Sequence, residues 1–187
     1  MHATFSQVNI AYRDVCRAVR VLKSAHTIFA EDCRHSRKLL THYGITTPLQ
    51  SYHAHNEARR AVTIVELLDR GLPVALVSDA GCPGVSDPGA NAVSAAIEAA
   101  HAVVPIPGPS AALAALTASG LPTNAFHFQG FLPPKSAARR KQLEALRTRV
   151  TVRYISWHTF DQLLKLISRH LGRCVGRCSC SMPRVLC

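Results

Sequence analysis

The sequence predicts an α/β fold, an open, mainly parallel sheet flanked by helices, and three observations carry that prediction. Short apolar runs alternate with segments of helical period across most of the chain. The strongest run, at residues 73–79, is apolar up to Ser78-Asp79, as a strand covered on both faces must be. The runs lead through polar or Gly/Pro-rich loops straight into the next helical segment, the alternation that builds a parallel sheet.

Taken in order, Val15, Ala18, Val19 and Leu22 recur at helical spacing and predict an amphipathic helix over residues 12–25. Residues 27–30 are a buried strand that stops at Glu31-Asp32. Leu39, Leu40 and Tyr43 mark a second helix, closed by Gly44 as a C-cap. Residues 49–53 form a strand, and residues 58–69 a helix with Val62, Val65 and Leu68 on one face. After the strand at 73–79 comes a Gly/Pro-rich loop to Gly89, then a helix over 90–100 and a buried strand over 102–106. Ser110 caps a small-residue helix. Residues 125–131 are a further strand and residues 135–147 a basic helix. Beyond Val150 the pattern weakens to one more helix at 160–171 and a tail.

The bulk numbers fit one domain with a real core. There are 187 residues, 48% of them hydrophobic, which excludes a disordered chain. No apolar run is long enough to span a bilayer, and residues 1–13 lack the apolar core of a secretory signal. Cys16, Cys33 and Cys82 sit in or beside apolar segments and read as reduced, buried thiols. The net charge is +11, from 22 Lys and Arg against 11 Asp and Glu. From Lys135 onward twelve residues are basic and only Glu144 and Asp161 are acidic. That excess fits a polyanionic partner such as RNA, or a solvated helix face with a basic tail.

In open α/β sheets ligands bind beyond the carboxyl ends of the strands, and three loops here leave strands directly. The first, residues 30–38, packs Glu31, Asp32, Arg34, His35, Arg37 and Lys38 into one strand-to-helix turn. Asp32 suits a helix cap. Arg34 and Arg37, three apart, suit a phosphate oxygen. The second, residues 78–89, is rich in small residues that let backbone groups approach a ligand, and Asp79 ends its strand where a buried carboxylate needs a partner. The third, Pro107-Gly108-Pro109-Ser110, presents amide donors at a helix start.

Five motifs follow one another: Glu31-Asp32-Cys33-Arg34-His35-Ser36, Tyr52-His53-Ala54-His55-Asn56-Glu57, Ser78-Asp79-Ala80-Gly81-Cys82-Pro83, Asp87-Pro88-Gly89 and Pro107-Gly108-Pro109-Ser110-Ala111. Gly120-Leu121-Pro122 and Gly130-Phe131-Leu132-Pro133 continue the series. In order and wording the set resembles the ribosomal RNA small subunit methyltransferase I family, within the class III tetrapyrrole methylase superfamily, from about Val15 to Leu146.

The resemblance implies a two-domain fold with S-adenosylmethionine held in a cleft, and 2′-O-methylation of a cytidine ribose in small-subunit ribosomal RNA. It implies that Asp79, Ala80, Gly81 and Cys82, with Gly108, Pro109, Ser110 and Ala111, line the cofactor site. Glu31, Asp32 or His35 would take the hydroxyl proton, the carboxylates ranking first. Arg34 and Arg37, with His53, His55, Asn56 and Glu57, would bind the nucleotide; no metal is implied. The partners implied are small-subunit ribosomal RNA or the small subunit itself and a second copy of the chain, with no membrane. The setting implied is the cytoplasm of a bacterium, or a mitochondrion or plastid of a eukaryote.

Two departures from the family pattern are expected to matter. Residues 1–14 are a divergent segment in which the first sheet strand and its cofactor loop are expected to be absent or replaced; a missing strand would expose a sheet edge and favour pairing with another chain. Residues 15–149 are the amino-terminal domain. Residues 150–187 are a remnant of the second domain or a basic Cys-containing tail, because only 32 residues follow Ile155. A chain truncated at both ends, with weak or absent cofactor binding by itself, is the expectation.

Three other readings are open on the residues. One is a non-catalytic RNA-binding module built on Lys135, Arg139, Arg140, Lys141, Arg147, Arg149 and Arg153. Another is a tetrapyrrole methylase relative with a different acceptor. The last is a zinc site from Cys174, Cys178, Cys180 and Cys187, with or without His170, whose spacing is not that of paired C-x-x-C motifs.

Overall fold

A computed structural model of the chain describes residues 2–6, 12–79, 81–108, 110–118, 123–146 and 152–156. The chain divides into two compact units, Met1–Ser110 and Ala111–Cys187.

The first unit runs β1 (His2–Ser6), α1 (Tyr12–Ser24), β2 (Thr27–Ala30), α2 (Cys33–His42), β3 (Leu49–Ser51), α3 (Glu57–Asp69), β4 (Val74–Val77), α4 (Ala90–Glu98) and β5 (Ala102–Ile106). Its five strands form one parallel sheet in the order β3-β2-β4-β1-β5. Side chains alternate across a strand. Ile28, Ala30, Ala75 and Val77 therefore share one face, where they pack with Leu22 of α1, Leu40 of α2 and Ile45. Phe29, Val74 and Leu76 share the other, packed with Tyr52 just after β3, with Ile64 and Leu68 of α3 and with Ala92 and Ala96 of α4. Burial on both faces is why β2 and β4 are apolar without alternation, and each fully buried Ile or Phe contributes about 1.5–3 kcal/mol.

Of the two expectations for the first sheet strand, absence is overturned, and the divergent segment itself supplies a strand in its place. His2–Ser6 pairs in parallel with β4 on one side and β5 on the other, so it lies inside the sheet and not at its edge. Two flanking ladders hold a five-residue segment that has no long apolar run to announce it. The argument for pairing through a vacated edge falls with it. The loop that follows lies outside the described residues.

Smaller differences follow from each element's place in the fold. β5 is an edge strand, with Ala102 and Pro105 exposed, and not a buried one. Proline, which has no N–H to give a ladder, is tolerated there. The buried face of α3 is Ala61, Ile64 and Leu68, and Val62 is 59% exposed. Cys16 is exposed and Cys33 and Cys82 are partly buried, all three as free thiols.

The second unit contains α5 (Ala111–Ala118), β6 (Phe126–Phe131), α6 (Ser136–Leu146) and β7 (Val152–Ser156). β6 and β7 form a separate parallel pair. The basic helix is present as α6, with Lys135, Arg140 and Lys141 exposed. Arg139 differs: it is 5% exposed, and its Nη1 donates to the Pro134 carbonyl at 3.2 Å. Arg147 and Arg149, the helix expected at 160–171 and the cysteines of the tail lie outside the described residues. No helix among the described residues is long and apolar enough to cross a membrane.

Candidate active site

Register places the candidate residues. Ser51, Ala30, Val77, Ser6 and Ile106 are successive Cα partners across the five strands, so all five end in one row. Because the strands are parallel, that row is the carboxyl rim. Every loop singled out in the sequence leaves it: Glu31–Arg37 after β2, Tyr52–Glu57 after β3, Asp79–Cys82 after β4, and Pro107 onward after β5. The loops carrying Asp79 and Gly108 leave the same rim with only β1 between their strands, about 10 Å apart at ordinary strand spacing.

At the tips of the neighbouring strands β2 and β4, the Asp79 N–H donates to Glu31 Oε2 at 3.5 Å. His35 Nδ1 stands 3.9 Å from Asp79 Oδ2. The Asp79 side chain is 28% exposed, so this carboxylate stands at the rim and is not the buried, partner-seeking group expected. Asp87 completes the group. Burial, and then the charges of Glu31 and Asp79, push its carboxyl up to about 6. Like charges brought close resist a further ionisation. Asp87 was missing from the sequence-based site; the signal for it was an acid inside a loop of small residues. Cys82 lies in the same loop, and burial followed by the Asp87 charge raises its thiol, so it is no activated nucleophile.

Asp32 has a different job. It caps α2 by accepting the Arg34 N–H at 2.8 Å, and the Arg34 guanidinium grips both its oxygens, Nε to Oδ1 at 3.2 Å and Nη2 to Oδ2 at 2.8 Å. That grip holds its carboxyl down at about 2. A carboxylate so engaged is a poor proton acceptor at neutral pH. Arg34 is thereby tied to Asp32, while the Arg37 guanidinium is exposed, with no hydrogen-bond partner among the described residues.

The second polar cluster separates into a scaffold and a surface. Asn56 Oδ1 accepts the His53 N–H at 2.9 Å, and Asn56 Nδ2 reaches the Ser51 carbonyl at 3.3 Å and His53 Nε2 at 3.2 Å. Asn56 and His53 therefore hold the turn after β3. Glu57 accepts a hydrogen bond from Asn91 Nδ2 of α4. His55 is exposed, its ring edge-on to His53 at 5.9 Å. Ala54, His55, Asn56, Glu57, Ala58, Arg59 and Asn91 line an open hollow of about 580 Å³ between the first turns of α3 and α4. Arg59 and Asn91 carried no sequence signal, since each reads as an ordinary polar helix residue.

Gly81 and Cys82 lie in the β4 loop and Gly108 and Ser110 in the β5 loop, whereas Ala111 opens α5 in the second unit. Ala80 and Pro109 lie outside the described residues. No group of three metal-ligating side chains is found among the described residues.

The sequence profile of the tetrapyrrole (corrin/porphyrin) methylases matches residues 16–182. The chain belongs to this methylase family. Among its relatives it is 47% identical over 165 residues to the ribosomal RNA small subunit methyltransferase I of Halalkalibacterium halodurans, covering 84% of this chain and 57% of that protein. It is 49% identical over 158 residues to the protein of the same name from Xylella fastidiosa, covering 83% and 58%. With the one from Escherichia coli O157:H7 it shares 45% over 158 residues, covering 83% and 55%. The methylase resemblance read from the five motifs is thus borne out, and the chain spans somewhat more than half the length of these relatives. The crystal structure of uroporphyrin-III-C-methyltransferase from Thermus thermophilus shares the methylase fold, with a TM-score of 0.52 at 17% identity over 78% of this chain and 74% of that one.

Proposed function

We propose that this chain supplies the donor-binding and proton-accepting rim of an S-adenosylmethionine-dependent methyltransferase acting on a cytidine ribose 2′-hydroxyl of small-subunit ribosomal RNA. The observation that carries the proposal is the single row of strand ends, which delivers Glu31, Asp79, Asp87 and the Gly108 loop to one edge of one sheet.

The residues present fit a cationic methyl donor. Glu31, Asp79 and Asp87 gather negative charge with no cation bridging them among the described residues, and the nearest non-neighbour atom among those residues to where a Gly81 Cβ would sit is Asp87 Oδ2, at 3.9 Å. A sulfonium donor supplies an electrophilic methyl group, so no metal or redox partner has to be supplied by the protein. Asp79, Gly81 and Cys82 would hold it from the β4 loop and Gly108 and Ser110 from the β5 loop, with Ala80, Pro109 and Ala111 carried by the family resemblance alone. Glu31 would accept the ribose hydroxyl proton as the oxygen attacks, and His35, beside Asp79, is the alternative acceptor. Arg37 would hold a neighbouring phosphate, and His55 and Glu57 would face the nucleotide. Pairing of two copies also rests on the resemblance alone, and light scattering of the purified chain tests it.

The test is methyl transfer from labelled S-adenosylmethionine to small ribosomal subunits lacking the modification, run with this chain alone and with this chain joined to the remaining half of the Halalkalibacterium halodurans relative. Label in a cytidine ribose, lost in Glu31→Gln and retained in Asp32→Asn, is the expected result. Label in neither setting, or equal label with Glu31→Gln, overturns the reading.

A further inference from the structure

The two helical layers of the first unit differ sharply in charge. α1 and α2 cover one face of the sheet, since Leu22 and Leu40 share a core with Ile28, Ala30, Ala75 and Val77. They are also tied directly, because Thr47 Oγ1, in the loop after α2, donates to the Leu22 carbonyl at 2.7 Å. On the outside of this layer Arg17, Arg20 and Lys23 of α1 and Arg34, Arg37 and Lys38 of α2 are all exposed. α2 has no acidic residue and α1 only Asp14. Apart from Arg34, held by Asp32, none of these cations has an acidic partner among the described residues. The layer on the opposite face inverts the balance: α3 and α4 hold Glu57, Glu66, Asp69 and Glu98 against Arg59 and Arg60.

Position adds direction to this charge. α2 starts at Cys33, two residues beyond Glu31, so the basic layer begins at the reacting rim and runs away from it over α2 onto α1. On α1 the cations recur at i, i+3 and i+6, which keeps them on one side of the helix. A row of unpaired cations leading from a site is the footprint of a polyanion backbone, held by charge and without sequence preference. We infer that the α1–α2 face is a track for the phosphate backbone of the RNA strand whose ribose lies at the Glu31–Asp79 rim. The inference rests on the RNA methyltransferase reading above and extends it to Arg17, Arg20, Lys23 and Lys38. It adds this face to the basic stretch after Lys135, the one to which composition points.

Anisotropy titration of a labelled single-stranded ribosomal RNA fragment over a salt series, without cofactor, tests the track on the full chain. Because the three side chains are exposed, the variant Arg17→Gln/Arg20→Gln/Lys23→Gln is expected to keep the parent circular dichroism. It should weaken RNA binding roughly tenfold at low salt and flatten the log–log salt slope by about 2, near 0.7 for each phosphate contact on a single strand. The single variants Arg20→Gln and Lys38→Gln should each flatten it by about 0.7, which keeps the test alive if the triple fails to fold. Unchanged affinity and slope in these variants, no RNA binding by the parent, or a loss seen only on phosphatidylserine vesicles would each overturn the track. Absence of methyl transfer with the slope changes intact would instead count against the catalytic reading alone.

Discussion

The Tyr52 hydroxyl accepts the backbone N–H of Ala92 at 3.2 Å, joining the residue after β3 to the first turn of α4. Gly89, the N-cap of α4, offers no side chain to do this. The bond is buried and braces the two helix starts that line the hollow at His55 and Asn91. Tyr52→Phe keeps the ring but orphans a buried donor, so urea unfolding should show a loss of about 1–3 kcal/mol. A variant as stable as the parent would show that water replaces the hydroxyl.

Asp87 should make the folded state sensitive to pH in the direction opposite to most carboxylates. Its folded pKa, about 6, lies above the ordinary 3.8, so between those values the folded chain holds a proton that the unfolded chain has released. Its contribution therefore favours folding below about pH 3.8 and is lost as pH rises through about 6. Asp87→Asn should stabilise the chain at pH 8, by about 1 kcal/mol after allowance for solvent screening, and have little effect at pH 4. Denaturant midpoints at the two pH values check this. A bound cationic donor would use the same charge, so its affinity should rise as pH increases through about 6.

Two glycines with positive φ should respond differently to alanine. At Gly89, with φ of 148°, a Cβ would lie 2.7 Å from the Gly84 nitrogen and 3.1 Å from the Pro83 carbonyl carbon, both backbone atoms. Gly89→Ala should distort the Asp79–Gly89 loop and cost about 3 kcal/mol or more. At Gly44, with φ of 61°, nothing lies within 4 Å, so Gly44→Ala should cost only the left-handed strain of about 1–2 kcal/mol. Thermal melts of the two variants rank them.

Asp32→Ala separates capping from catalysis. It removes the acceptor of the Arg34 N–H and frees the guanidinium, so helix content by circular dichroism and the melting temperature should both fall at neutral pH. The carboxyl is held down at about 2, below its ordinary 3.8, so its contribution is present above pH 3.8 and disappears as pH falls through about 2. Parent and variant should converge there; a difference that persists would assign the effect to something other than the ionised cap.

Much was legible in the chain because it is written locally. The apolar runs at Thr27–Ala30 and Val74–Val77, the cap at Asp32, the turn at Gly44 and the order of the polar loops depend on residues a few positions apart, as does the motif series that marks the family. What is non-local escaped the sequence. His2–Ser6 becomes an interior strand only because β4 and β5 flank it, and that pairing supplies the order its own five residues do not signal. The exposure of Ala102 and Pro105 follows from the edge place of β5. Asp87 rises to about 6 only because folding buries it and brings Glu31 and Asp79 near. The basic face exists only because α1 and α2 pack on the same side of the sheet. Composition counts charges, but burial, pKa and surface field depend on distances between residues far apart in sequence, and those distances are decided by the tertiary fold.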